Sequence, residues 1–271
     1  MGILIHVAAA ALYVAAAWAW WPATRHPPAP PHPAGRWLVP VALAVHAAAL
    51  VTAIATPAGL DLSLQNALSL VAGLCVGVTW LVGFLRTLPA TGVVVLPVAA
   101  FTTALAAFAP NPHRFSYAGE PWATAHIAVA LVAYAFLLVA AVTALLMTGL
   151  ERRLHRGVGM ASDTVAGTST PPLLTLEHYL FRLIAIGFVL LTLTLASGFL
   201  FSEEVFGKAV TFSHKNVFSL IAWLIFAVLL AGRWRFGWRG RRAQAWVLAG
   251  TAFLVLAYFG SKFVVEVLLG R

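Results

Sequence analysis

Long apolar runs separated by short polar stretches fill the chain. Eight runs stand out, at about 2–22, 37–56, 64–86, 90–109, 123–149, 178–201, 214–232 and 246–268. Each offers roughly the 20 residues that an α-helix needs to cross the hydrocarbon core of a bilayer. The breaks carry turn chemistry, as in Thr56-Pro57-Ala58-Gly59, Leu88-Pro89 and Pro110-Asn111-Pro112. The 22–36 stretch, with Pro27-Pro28 and Pro30-Pro31, is expected not to be helical. The segment 151–177, which contains Gly157, Gly159, Pro171 and Pro172, reads as the longest loop. No block repeats along the chain. The pattern predicts an all-α polytopic membrane protein of eight transmembrane helices, one domain over 1–271.

Composition sharpens this. Of 271 residues 62% are hydrophobic and only 9% charged, and the mean hydropathy is +0.93. A soluble domain carries about 25% charged residues, so a cytosolic enzyme, a disordered tail and a disulfide scaffold are excluded. The lone cysteine, Cys75, allows neither an intrachain disulfide nor a CxxC pair. The first run has no basic segment before it and is expected to be a retained span rather than a cleaved signal.

The net charge of +9 is laid out as topology. One set of connections holds Arg25, Arg36, Arg86, Arg152, Arg153, Arg156, Arg182, Arg233, Arg235, Arg239, Arg241 and Arg242; the other holds Arg114, Lys208, Lys215, Lys262 and Arg271. The positive-inside rule puts the first set in the cytoplasm and both termini on the periplasmic side. The basic-aromatic stretch Arg233–Arg242 follows directly on a span, so it is expected to meet anionic lipid, with no nucleic-acid partner.

Candidate chemistry rests on histidine. His46 falls about 15 Å into the second span, and an ionisable group at that depth is a functional candidate by default. His6, His126 and His214 fall near the outer ends of spans one, five and seven, His178 at the inner end of span six, and His26, His32, His113 and His155 in loops. Imidazole is the usual axial ligand of haem iron. Three histidines at one level, near Trp122, Tyr134, Phe212, Phe218 and Trp223, suggest a haem or metal site facing the outer leaflet. Solvation among the headgroups is the plain alternative for an interfacial histidine. Gly73 and Gly77 permit close helix packing, and Lys262 and Glu266 are spaced to pair on one helical face. HExxH, GxSxG, Walker A and intraspan carboxylate pairs are all missing, and no catalytic residue is expected.

Three segments carry a resemblance. They are Phe212-Ser-His-Lys-Asn-Val-Phe-Ser-Leu-Ile-Ala-Trp223 with its continuation through 237–242 to Ala257-Tyr-Phe-Gly260, His126-Ile-Ala-Val-Ala-Leu-Val-Ala-Tyr134, and Phe181-Arg-Leu-Ile-Ala-Ile-Gly187. Over about residues 40–265 the chain resembles the cytochrome c assembly family of CcsA, CcmC and HemX-type membrane proteins, and is most similar to its short CcsA-like inner-membrane subgroup. The resemblance implies that His126 matches an external haem-ligating histidine and His46 a transmembrane one. Where synthase members carry Trp-Asp-Pro-Lys-Glu, this chain has Phe212, Ser213, His214, Lys215 and Asn216, keeping only the lysine. The family's second external histidine, after the last span, has no counterpart here, and His214 is the candidate to replace it. The expected site is therefore His126, His214 and His46 with Phe212, Trp223 and Tyr134, the iron of haem b being held by His126 and His214.

The resemblance implies a multi-pass protein of the bacterial inner membrane that handles or delivers haem for cytochrome c biogenesis. Its expected partners are haem, the bilayer, and another maturation subunit or apocytochrome. An accessory or carrier role fits better than a complete synthase. The alternatives are a HemX-like regulator without its own haem, and a transporter of a small solute or metal.

Overall fold

A computed structural model describes residues 2–20, 33–56, 59–85, 91–108, 114–115, 121–155, 173–200 and 214–263. Among the described residues eight helices follow one another: α1 (Gly2–Trp20), α2 (Pro33–Ile54), α3 (Leu64–Leu85), α4 (Gly92–Phe108), α5 (Pro121–His155), α6 (Leu173–Leu200), α7 (His214–Phe236) and α8 (Gly240–Val255). The last of these widens into a π-helical turn at Leu256–Gly260. Seven helices are long and apolar enough to cross a membrane, and α4, of 17 residues, is shorter.

The bundle is helical as expected, with one small β ribbon beside the helices. Three short strands, β1 (Ala55–Thr56), β2 (Gly59–Asp61) and β3 (Arg114–Phe115), pair antiparallel, with Ala55 opposite Leu60 and Leu60 opposite Phe115. Backbone groups beyond a helix end still require partners, and a ribbon supplies them.

Two helix boundaries also differ from the apolar runs. Residues 33–36 are helical, because Pro33 occupies the first position of α2, where its missing N–H costs nothing. Within 151–177, Glu151–His155 complete α5 and Leu173–Glu177 open α6. Polar partners hold these ends: Glu151 takes a hydrogen bond from Gln244 Nε2 at 2.7 Å and an ion pair from Arg241 at 3.7 Å, while Glu177 pairs with Arg233 at 2.5 Å.

The bundle consists of two four-helix groups, α1–α4 and α5–α8, which meet through α3 and α5. In the first helix group many alanines turn inward, and across the bundle many large side chains face outward, although Tyr13, Leu137, Leu180 and Phe226 are buried. Ala9, Ala16, Ala42, Ala49, Ala67 and Ala99 are buried, whereas Leu4, Trp18, Phe101, Val189 and Leu200 are exposed. Lipid is as apolar as leucine, so helices in a membrane gain by close approach rather than by hiding large side chains. Gly187 lets α6 close on α5, since a Cβ there would lie 2.7 Å from the Leu137 side chain. Gly73 serves differently from a helix-packing pair: it makes room for the His46 ring, 2.9 Å from where its Cβ would be, while Gly77 faces open space.

Candidate functional site

His46 is the node of the first helix group. Tyr13 on α1 donates its hydroxyl to Nδ1 at 3.0 Å, and the two rings meet edge-on at 5.5 Å. Nε2 reaches Ser69 Oγ on α3 at 2.8 Å and Thr103 Oγ1 on α4 at 3.3 Å, and Ser69 in turn donates to Thr103 at 3.5 Å. With the Ser69 proton directed at Thr103, the imidazole donates from Nε2 and accepts at Nδ1. One buried ring thus ties four helices together with both nitrogens engaged. His6, also buried, directs Nδ1 to the Gly2 carbonyl at 2.9 Å, and its Nε2 has no hydrogen-bond partner among the described residues.

His126 is arranged differently. It is half-buried on the first turns of α5, and its Nδ1 lies 2.8 Å from Ser197 Oγ on α6. With the Ser197 proton on the Thr194 carbonyl, 3.0 Å away, the hydroxyl accepts from Nδ1–H. In this arrangement the imidazole proton is on Nδ1. Nε2 carries a bare lone pair and has no hydrogen bond among the described residues. Gly198 flanks the ring, where even a Cβ would stand 3.4 Å from Cε1.

The rest of the outer rim of the second group is cationic and aromatic. Lys215, exposed in the first turn of α7, places Nζ 5.6 Å from the centroid of Tyr258. Lys262, buried, approaches the same ring at 5.9 Å and donates to the Leu62 carbonyl next to β2. Tyr258 lies in the π-helical turn, a distortion frequent at functional sites. Lys215 lies within electrostatic reach of both His126 and Lys262.

The remaining candidates take several places. Tyr134 packs on Tyr258 at 5.7 Å and Phe259 at 6.2 Å, and its hydroxyl donates to the Leu254 carbonyl at 3.0 Å, tying α5 to α8. Trp223 stacks on Phe188 at 5.6 Å and donates Nε1–H to Thr192 Oγ1 at 2.9 Å. Thr192 stands five residues below Ser197, about 7.5 Å deeper along α6. Trp122 is exposed, and Phe218 packs on Phe253 at 6.1 Å. His214, the first residue of α7, is exposed, and neither a hydrogen bond nor a ring contact joins it to His126. Phe212, His26, His32, His113 and Glu266 lie outside the described residues. Ser197, Gly198 and Tyr258 lie within the stretch that carries the family resemblance, but nothing in the sequence gave them a role of their own; Lys215 and Lys262 are lysines on the face where basic residues are scarce.

The fold defines a class, a polytopic helical membrane protein, with a half-buried imidazole at one end of its second helix group. Residues 35–269 match the cytochrome C assembly protein family. The chain is 34% identical over 234 residues to the inner membrane protein YpjD of Escherichia coli (strain K12), covering 84% of this chain and 85% of that protein. It is 27% identical over 209 residues to the cytochrome c biogenesis protein CcsA of Thermosynechococcus vestitus, covering 64% of this chain and 66% of that protein. The CcsA of Parasynechococcus marenigrum is 30% identical over 156 residues, about half of each chain. No solved structure matches the chain. The chain belongs to the cytochrome c assembly family, in its YpjD-like subgroup.

Proposed function

We infer that this protein binds haem b at its outer rim and takes part in haem handling for cytochrome c biogenesis. It is a multi-pass protein of the bacterial inner membrane, acting as a carrier or accessory subunit with haem and another maturation component or apocytochrome as partners. The carrying observation is the tautomer of His126: Ser197 takes the Nδ1 proton and leaves Nε2 as a lone pair, the form in which imidazole ligates iron.

The donor chemistry fits a porphyrin better than a bare ion. Among the described residues no group of three or more His, Cys, Asp or Glu could hold a metal, whereas haem needs only one or two axial nitrogens. His126 would hold the iron, with exposed His214 as the second axial ligand. Tyr134 and Trp223 supply aromatic walls further down. Bound haem supplies redox-active iron and a planar group for transfer; the chain itself orients an imidazole and keeps its proton on Nδ1. His46 reads as a structural node, since both its nitrogens are already hydrogen-bonded. The chain acts as one membrane domain of eight spans, α4 included, with both termini in the periplasm. Its arginines cluster at one end of the helices, at Arg152, Arg233, Arg235, Arg239, Arg241 and Arg242, opposite Lys215 and Lys262.

The test is an absorption spectrum with pyridine haemochrome assay on detergent-purified protein expressed with haem supply. Stoichiometric b-type haem is expected. His126→Ala should abolish it, Ser197→Ala should weaken it about 10-fold or more, and His214→Ala should convert a low-spin spectrum to high-spin. A colourless wild type that takes up no added hemin refutes the reading and favours the HemX-like alternative.

A further inference from the structure

The rim presents two lysines to one aromatic ring, and Lys215 lies within electrostatic reach of His126. Like charges this close repel unless something anionic or π-rich lies between them. The Tyr258 face meets part of that need, because its quadrupole attracts both ammonium groups. Lys262 has a further role, since it donates to Leu62 and pins the end of α8 to the corner between β2 and α3. Lys215 has no such duty. It is exposed and makes no ion pair among the described residues, although it lies within electrostatic reach of His126. Of the described carboxylates, Glu151 and Glu177 pair at the opposite end of the bundle, and Asp61 accepts from the Ser63 backbone at 3.0 Å. Lys262 is buried next to the Asp61–Leu62 corner, whereas Lys215 is an exposed cation that an anion can approach.

A porphyrin carries two propionate carboxylates on one edge, so a ligand held through its iron also presents an anionic side. Building on the haem reading above, we propose that Lys215 is the propionate-binding residue of this rim, positioned by Tyr258 and backed by the buried charge of Lys262. The site would then distinguish a free porphyrin dicarboxylate from its neutral ester, a selectivity that iron ligation by His126 alone does not provide.

The experiment compares hemin with hemin dimethyl ester, each titrated into the purified full-length protein in neutral detergent and followed by the Soret band. Charge-assisted hydrogen bonds to a carboxylate are strong enough to shift an equilibrium about 10-fold. Wild type is expected to bind hemin at least about 10-fold tighter than the diester. Lys215→Gln should bring hemin down to the diester's affinity while leaving diester binding unchanged, and Lys215→Arg should keep the preference. Equal binding of the two porphyrins by wild type, or a preference that survives in Lys215→Gln, overturns the lysine assignment alone. No Soret band with either porphyrin overturns the haem reading and this inference with it.

Discussion

At the scale of single residues, two histidines with similar promise in the sequence diverge once their partners are known. His46 and His126 both sit on apolar helices, but the hydroxyls around them direct their protons differently. The partners of His46 lie 33, 23 and 57 residues away in the chain, on three other helices. Periodicity reports which face a residue occupies and nothing of such contacts, so the depth of His46 was legible and its saturation was not. The difference is testable. His46→Ala leaves the Tyr13, Ser69 and Thr103 hydroxyls buried without their common partner and opens a cavity, which should cost about 3 kcal/mol. Its detergent melting temperature should fall while the haem content of the surviving folded protein stays at the wild-type ratio. A stable, haem-free His46→Ala protein would show instead that His46 is a ligand.

At the scale of elements, the junction of α7 and α8 shows how a basic-aromatic stretch becomes a corner. Gly237 and Gly240 adopt positive φ, 65° and 59°, which turns the chain between the two helices without strain. Trp238 folds back onto Gly232, where an added Cβ would lie 2.4 Å from the indole. Arg242 lies over its ring at 3.9 Å, Trp246 meets it tilted at 5.6 Å, and Phe236 stacks on it at 6.4 Å. Arg233, locked to Glu177 and stacked 4.5 Å from Phe181, also donates to the Trp238 carbonyl at 3.2 Å. The residues expected to meet lipid therefore divide: Trp234 and Phe236 are exposed, whereas Arg233 and Trp238 build the corner. Gly232→Ala should displace the indole and destabilise the protein by about 1–3 kcal/mol. Trp238→Ala removes the clash, so the double variant should be less destabilised than the sum of the singles, and strict additivity in thermal unfolding would refute the contact.

For the whole molecule, the bundle's halves carry different chemistry. The α1–α4 group closes on a hydrogen-bonded node, while the α5–α8 group leaves a lone pair and a lysine at its rim. The apolar runs made the helix count legible, because in hydrocarbon every span must satisfy its own backbone. The division into halves was not, since α3 meets α5 through tertiary contacts such as Cys75 Sγ–H to the Ala135 carbonyl at 3.7 Å. Function depends on which end of this molecule faces the periplasm, and the arginine distribution argues for the end that carries His126. Two variants that each add one cysteine test it: Trp122→Cys at the exposed start of α5, and Arg235→Cys at the exposed end of α7. Native Cys75 is buried and should remain silent. In spheroplasts a membrane-impermeant maleimide should label residue 122 directly and residue 235 only after permeabilisation. The reverse pattern would turn His126 and Lys215 toward the cytoplasm, and a haem held there would be positioned for uptake from the side of its synthesis instead of for hand-over outside.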